Sequence, residues 1–513
     1  MPKYDVVVVG SGCAGLTASL ECALAGKKVL LIEQHNIPGG CATSFRRGRF
    51  EFEPSLHEMC GVGTPELPGS TRKIMDRYGV RVEWQQVDDC FRIISKFSDG
   101  SPMDVTMPAG VDNFINKMEE YVPGSRRSVS DLFELLDEVD KGIDYAGKDP
   151  NGADVKVLIK NYPNLLRVGI YNCKAVFDAM HIPQKAQDIL YTYWSYLGVD
   201  MEKLSFIHYC CMVNNYIRLG AAIPTYTSHE ISVAMTERLR EMGGDVWFNC
   251  RAKRFLFRDD RCCGVETTMG TVEADLVFAN INPDIIYGKM MPTDLVPVRE
   301  KKLSAARNRQ FGARMFTAYF GLNKTAEELG IHDYSIFLSG TCDSVKEYKS
   351  MERVDTNEFS IFLCYNIANP KASPEGTSLV SFTTMFHSTE DWDNLPMEDY
   401  VALKEKMTDK FLDTLKEKAG IDIRPYIEEV SIASPWTFAR YIGVPEGSVY
   451  GYLTQNWDDI ISRSMMVDRD YAIKGLYPIG TSGIRGDGYS SGYQCGNIIA
   501  QTALERLEGG NAQ

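Results

Sequence analysis

Near the start of the chain, glycine recurs at a spacing with chemical meaning: Gly10-Ser11-Gly12-Cys13-Ala14-Gly15. Glycine at the first place permits a tight turn. At the second it lets backbone approach a pyrophosphate, and at the third it lets a helix pack closely on a strand. A helix opening there offers phosphate its unpaired N–H groups and the positive end of its dipole. Glu33 follows about twenty residues on, at the distance where an acid accepts hydrogen bonds from adenosine ribose hydroxyls. A carboxylate there disfavours a 2′-phosphate. The chemistry expected is the binding of a dinucleotide other than NADP.

Such a turn needs elements to hold it. Tyr4 to Val9 is a β-branched run suited to a strand buried on both faces. A helix is predicted from about Cys13 to Ala25, with Leu16, Leu20, Ala23 and Leu24 as its apolar side and Gly26 as its stop. Lys28 to Glu33 reads as a second buried strand. Further on, Asp245 to Phe257 and Cys263 to Thr268 read as a hairpin about Asp259-Asp260-Arg261, followed by a strand from Ala274 to Asn280. Gly475 to Gly480 is a strand ending in glycine, and Gly486 to Ser491 opens a last helix through Gly496 to Leu507. Val155 to Met180 and Ile189 to Leu219 are amphipathic helical stretches. No second GxGxxG follows a strand, which argues against a separate pyridine-nucleotide domain.

At 513 residues the chain exceeds one ordinary core, so two large domains are expected. A formal net charge of −14 makes nucleic acid an unsuitable partner, since phosphate binding needs a basic field. The 14 cysteines lack CxxC spacing, so reduced thiols are expected, with no metal site and no disulfide framework. Val6 to Val9 is too short for a signal-peptide core, and no apolar stretch reaches the ~20 residues of a spanning helix. A cytoplasmic protein is expected, with room for peripheral contact at a membrane through a local apolar entrance.

After Glu33 comes His35-Asn36-Ile37-Pro38-Gly39-Gly40-Cys41-Ala42-Thr43-Ser44-Phe45. With the first glycine set and the Gly480 to Ser491 segment, this resembles the flavoprotein superfamily of amine oxidases, phytoene desaturases, carotenoid isomerases and retinol saturase. Two segments point to the polyene-modifying side of it. Gly48 to His57 is similar to the saturase pattern of an aromatic pair, an acid, a small-residue turn and a histidine, with Ser55 where the family has glycine. Ser434-Pro435-Trp436-Thr437 resembles the segment that precedes the flavin-covering motif. The paired-aromatic cage typical of amine oxidases has no clear counterpart.

The resemblance implies FAD as cofactor. By position it would be held by Gly10, Ser11, Gly12, Cys13, Ala14, Gly15, Glu33, Gln34, Gly39, Gly40, Cys41, Ala252, Gly480, Thr481, Gly488, Tyr489 and Ser490. Thr481 departs from the family, which usually has aspartate there; a hydroxyl makes a similar but weaker bond to the ribityl chain. The fold implied is α/β plus α+β. A discontinuous Rossmann-like FAD-binding domain would comprise 1–64, 225–299 and 466–513, and an inserted substrate-binding or lid domain 65–224 and 300–465.

Saturating or desaturating a carbon–carbon bond needs a hydride partner and a group that moves a proton. His57 is the candidate for proton transfer, since its ordinary pKa lies near working pH; a hydrogen-bonded structural role is the equal alternative. Tyr489 and Tyr441 are further donors, and Arg440 would stabilise developing charge or anchor a carboxylate. Arg46 and Arg47 would neutralise phosphate or form a solvated turn, and His229 reads as structural. The function implied is that of an FAD-dependent oxidoreductase acting on a C=C or CH–CH bond of a lipophilic polyene, retinoid or unsaturated fatty acid. The alternatives are a redox-neutral double-bond isomerase using reduced FAD, a flavin amine oxidase, and a lipid chaperone holding FAD structurally. The partner expected is a hydrophobic small molecule, with an electron donor or acceptor that the residues do not identify.

Overall fold

Val6 to Val9 do form a strand buried on both faces, and its neighbours explain why. β1 (Lys3–Val9) lies parallel to β2 (Val29–Ile32) on one side and to the strand Gly270–Ala279 on the other, with Val7 opposite Leu30 and Val277. The computed structural model describes residues 2–146, 154–298, 300–301, 311–453, 473–480, 484 and 488–509. In it the first sheet runs Ala252–Arg258, Arg261–Thr267, Gly270–Ala279, β1, β2, Asp245–Trp247, and Leu476–Pro478 adds parallel to Gly270–Ala279. Each fully buried valine or leucine here stabilises the fold by roughly 1.5–3 kcal/mol.

The hairpin expected from Asp245 is split in two. Asp245–Trp247 pairs with β2, and the chain then turns back, with Asn249 N–H donating to the His35 carbonyl and Cys250 N–H to that of Glu33. Asn249 takes φ +54°, a conformation asparagine tolerates, and Ala252–Arg258 then pairs with Arg261–Thr267 as predicted. This break brings Ala252 to the end of β2.

A second seven-stranded sheet is built from the intervening segments. Its order is Ile427–Ala433, Arg314–Leu322, Ser378–Phe386, Ser360–Cys364, Ser335–Leu338, Asp89–Lys96, Pro102–Pro108. All neighbours are antiparallel except Ser335–Leu338 with Asp89–Lys96. Strand Arg314–Leu322 shows the two-sided burial that results. Met315 and Tyr319 enter one core, whereas Phe316, Ala318, Phe320 and Leu322 enter another beneath the helix Met397–Ala419. The first of these cores also takes the helices of 111–219. Arg126–Ala146 buries Val129, Leu132, Phe133, Leu136 and Val139, a helical period that presents one stripe to the neighbouring helices Val111–Tyr121, Pro163–Val168 and Phe206–Leu219.

Candidate active site

The turn after β1 has the geometry its residue types require. Gly10 takes φ +94°, and its N–H donates to the Ile32 carbonyl at 2.8 Å. α1 (Cys13–Leu24) begins from an extended Gly12 and ends before Gly26 at φ +74°. A Cβ on Gly15 would lie 1.9 Å from the Gly10 carbonyl oxygen, so only glycine lets the helix sit this close to the strand end.

The second glycine pair folds directly onto this turn. Gly39 N–H donates to the Ser11 carbonyl at 3.0 Å, and a Cβ on Gly40 would touch the Gly12 Cα. Glu33 lines the same space. Its Oε2 accepts from Ser11 N–H and Oγ–H, each at 2.8 Å, and its Oε1 accepts from His35 N–H at 2.8 Å. An ionised carboxylate has about four acceptor sites, so one remains for a ligand. Asn280, at the end of the central strand, completes the turn. With its amide oxygen turned toward them, it accepts from Gly12 N–H at 3.3 Å and Gly15 N–H at 3.2 Å. Asn280 stood at the end of a predicted strand, but no residue pattern marked it as part of the turn.

The closing helix Gly488–Gly509 returns to this place and packs on α1. A Cβ on Gly496 would lie 2.0 Å from the Ala14 carbonyl oxygen, so the two helices meet at glycine. Tyr489 donates to the Cys41 carbonyl at 2.7 Å and lies 2.8 Å from Ser55 Oγ; Ser490 donates to the Cys60 carbonyl at 2.7 Å. The two ends of the chain are thereby tied to the Gly39–Cys60 segment.

One cavity of about 2050 Å³ joins these parts. Its wall includes Gly10, Gly12, Cys13, Ala14, Glu33, Gln34, Gly39, Gly40, Cys41, Ala252, Gly480, Gly488, Tyr489 and Ser490. Ser11 and Gly15 lie behind the wall and shape it from there. Thr481, Gly486 and Asp487 fall outside the described residues. The cavity is about twice the size of an ordinary ligand pocket, and beyond the glycines it continues between Ile143, Leu165, Ile207, Met212, Met315 and Met385.

Of the proposed catalytic residues, His57 and Tyr489 share this wall, with Tyr441 at its exposed rim. Arg440 is exposed on the helix Pro435–Ile442 and does not line the cavity. Arg46 and Arg47 are also exposed, and Arg46 pairs with Glu51 at 2.8 Å. His229 stands 3.4 Å from Ser44 Oγ. Burial pulls the His57 pKa down to about 4, so its imidazole is neutral at pH 7. Next to it, burial pushes the Glu58 carboxyl up to about 8.

Glu58 and Tyr196, which the sequence did not single out, stand beside His57: the Tyr196 hydroxyl is hydrogen-bonded to Glu58 Oε1 at 2.9 Å and lies 3.3 Å from His57 Nδ1. Phenols from the second domain and its helices hold the backbone here. Tyr365 donates to the Leu56 carbonyl at 2.9 Å, Tyr334 to that of His57, and Tyr216 to that of Glu58 at 3.0 Å. Below them Glu53 is buried at the start of the helix Ser228–Glu241, accepting from Ser228 N–H at 2.7 Å; burial raises its pKa to about 7.

A glycine cradle at the carboxyl ends of parallel strands, an acid at the end of the second strand and a closing helix over the cradle fit FAD, and the turns forming it admit no side chain: a Cβ at Gly10 or Gly480 would strike Asn280, and one at Gly39 the Ala42 carbonyl. A family profile described as an NAD(P)-binding Rossmann-like domain matches residues 8–68. The all-trans-retinol 13,14-reductase of Danio rerio is 26% identical over 488 residues, covering 87% of this chain and 77% of that protein. Prolycopene isomerase 2 of an Oncidium hybrid is 22% identical over 531 residues, covering 97% and 84%. A solved putrescine oxidase, at 13% identity, superposes with a TM-score of 0.64 over 98% of this chain and 100% of its own, a likeness of fold.

Fold and site together define an FAD-dependent oxidoreductase with a nucleotide-binding sheet and a second sheet walling the cavity. Within that class, the chain resembles the phytoene desaturase and retinol saturase-like proteins, being similar along most of its length to retinol 13,14-reductases, prolycopene isomerases and a hydroxycarotenoid desaturase.

Proposed function

We propose that the protein transfers hydrogen at a carbon–carbon double bond of a lipophilic polyene, retinoid or unsaturated fatty-acyl substrate. The observation that carries this reading is the continuity of the glycine-lined cradle with an apolar chamber in one cavity. FAD, when bound, supplies or accepts the hydride. The chain's own part is to bind, orient and move a proton. Gly10, Gly12, Gly39 and Gly40 would hold the pyrophosphate, Glu33 the adenosine ribose, Ala252 the adenine, and Gly480, Thr481, Gly488, Tyr489 and Ser490 the ribityl and ring side. Tyr489 would act by positioning, because its hydroxyl is engaged by Cys41 and Ser55. His57 is the proposed proton-transfer residue. The domain division 1–64, 225–299 and 466–513 against 65–224 and 300–465 agrees with the origin of the strands in the two sheets.

A lipophilic substrate needs a route in. Val155, Leu166 and Ile170 line the cavity and are exposed, with exposed Ile159 and Tyr171 nearby. Lys156, Lys160 and Arg167 are exposed on the two short helices Val155–Asn161 and Pro163–Val168, against one exposed acid, Asp154, at the start of the first. This mouth suits peripheral contact with an anionic lipid surface. Among the described residues no helix is long and apolar enough to cross a membrane.

The test is anaerobic. Reduced holoprotein is mixed with retinoids, carotenoids or unsaturated fatty-acyl compounds while flavin absorbance and product mass are followed. Reoxidation with a product two hydrogens heavier is expected. A product of unchanged mass identifies the isomerase, and peroxide release with amines alone would overturn the proposal.

A further inference from the structure

The cavity wall holds a chain of three polar side chains within hydrogen-bond reach of one another. His57 and Glu58 are both more than nine-tenths buried, and each has an atom without a hydrogen-bond partner among the described residues: His57 Nε2 and Glu58 Oε2. Between them stands the half-buried Tyr196, with its hydroxyl 2.9 Å from Glu58 Oε1 and 3.3 Å from His57 Nδ1. Buried polar atoms normally find partners, and the imidazole and carboxyl left short of them both line the cavity. The hydroxyl joining them donates and accepts at once.

We propose that His57, Tyr196 and Glu58 form a proton relay at the cavity wall, with Glu58 as its store and His57 Nε2 as the atom that meets substrate. This rests on the proposed double-bond chemistry and deepens it. The relay has two polarities on the same heavy atoms. With Glu58 ionised, Tyr196 donates to Oε1, His57 donates through Nδ1–H to Tyr196, and Nε2 is a bare acceptor. With the proton on Oε1, Glu58 donates to Tyr196, Tyr196 donates to Nδ1, and His57 carries its hydrogen on Nε2.

In reduction, the Nε2 proton goes to the substrate carbon that does not take the hydride. The Tyr196 proton moves to Nδ1, the Glu58 proton moves to Tyr196, and Glu58 is left as carboxylate to be recharged from solvent. His57 is neutral before and after, in keeping with its burial. The two electrons are those of the hydride supplied by bound reduced FAD, so the relay carries charge balance alone. Desaturation runs the same steps backwards from the ionised state.

The surroundings favour the loaded polarity. The titratable groups that act on or sense Glu58 are Tyr193, Tyr196, Tyr216, Tyr334 and Tyr365 and the thiols Cys60 and Cys90. No lysine or arginine is among them, and the carboxyl holds its proton up to about pH 8. Glu58 and Tyr196 act through His57, so they are positioning residues.

The test uses holoprotein and two readouts. Infrared difference spectra of resting wild type against Glu58→Gln at pH 7 should show a protonated-carboxyl band that the variant lacks. In the anaerobic assay, Glu58→Gln and Tyr196→Phe should both keep FAD and bind substrate, with turnover slowed about a hundredfold. The fall in wild-type rate through about pH 8 should vanish in Glu58→Gln. Tyr196→Phe should keep the infrared band, and it carries the test if Glu58→Gln fails to hold FAD. Wild-type turnover and pH profile in both variants, or no carboxyl band at pH 7, would overturn the relay. Wild type inactive on every double-bond substrate would instead sink the functional reading, and the infrared band would still decide the state of Glu58.

Discussion

At the scale of single residues, position in the fold reverses what composition suggests. A histidine with an ordinary pKa looks like the group that titrates, and an adjacent glutamate looks like a permanent charge. Burial inverts the pair: His57 is held neutral down to about pH 4, and Glu58 is held protonated up to about pH 8. Each shift leaves a trace in stability. The unfolded chain releases the Glu58 proton above its ordinary carboxyl pKa while the folded chain keeps it. The folded state therefore loses stability as pH rises from roughly 4.5 to 8 and levels off beyond. For His57 the unfolded chain takes up a proton that the folded chain refuses, so stability falls as pH drops from about 6.5 toward 4. Glu58→Gln should accordingly show a smaller fall in thermal midpoint between pH 5 and pH 8 than wild type, read by circular dichroism. Parallel slopes would show that Glu58 does not hold its proton in the folded state.

At the scale of elements, the site depends on close backbone approaches. α1 meets β1 at Gly15, the second glycine pair meets the first turn at Gly39 and Gly40, and the closing helix meets α1 at Gly496. These contacts are rigid, because the atoms a Cβ would strike belong to backbone. Gly15→Ala places a methyl 1.9 Å from the Gly10 carbonyl, so the helix must move off the strand end. We expect this variant to lose most bound FAD on purification, seen as a low ratio of flavin to protein absorbance, while far-ultraviolet dichroism stays near wild type. Gly12→Val should do the same by filling the cradle against Asn280. Full flavin content in either variant would mean that the turn is not the pyrophosphate site. The Leu56–Glu58 backbone is another such element, held by three phenols from outside the nucleotide-binding sheet. Removing one leaves a buried carbonyl without its donor, at a cost of about 1–3 kcal/mol.

At the scale of the molecule, the cavity lies where the two sheets and the helices of 111–219 come together, and its apolar end opens among Val155, Leu166 and Ile170. An acidic protein is repelled by an anionic bilayer as a whole, so contact should be confined to this mouth, where Lys156, Lys160 and Arg167 cluster. Wild-type protein should co-sediment with vesicles of phosphatidylcholine and phosphatidylserine. The double variant Ile159→Glu and Ile170→Glu should bind at least about fivefold more weakly, since each juxtamembrane charge is worth about 1 kcal/mol. Equal binding by both proteins, or none by wild type, would remove the membrane from this picture.

What the residues alone determined follows from short-range rules. The βαβ unit was legible because its strands are continuous apolar runs and its glycines stand where a turn, a backbone approach and a helix contact each forbid a side chain. The glycine pair at Gly39-Gly40 and the closing helix were legible for the same reason, and through them FAD and the family. The second sheet was not, because its partners lie far apart in the chain: Asp89–Lys96 pairs with Ser335–Leu338, and no local pattern encodes that register. Asn280, Tyr196 and Glu58 were missed on the same ground, since a polar residue looks alike in the sequence whether it faces water or a buried partner. Only the tertiary structure decided which carboxyl is dry enough to keep its proton and which phenol stands between it and His57. Desolvation and hydrogen-bond reach depend on what the whole chain brings together.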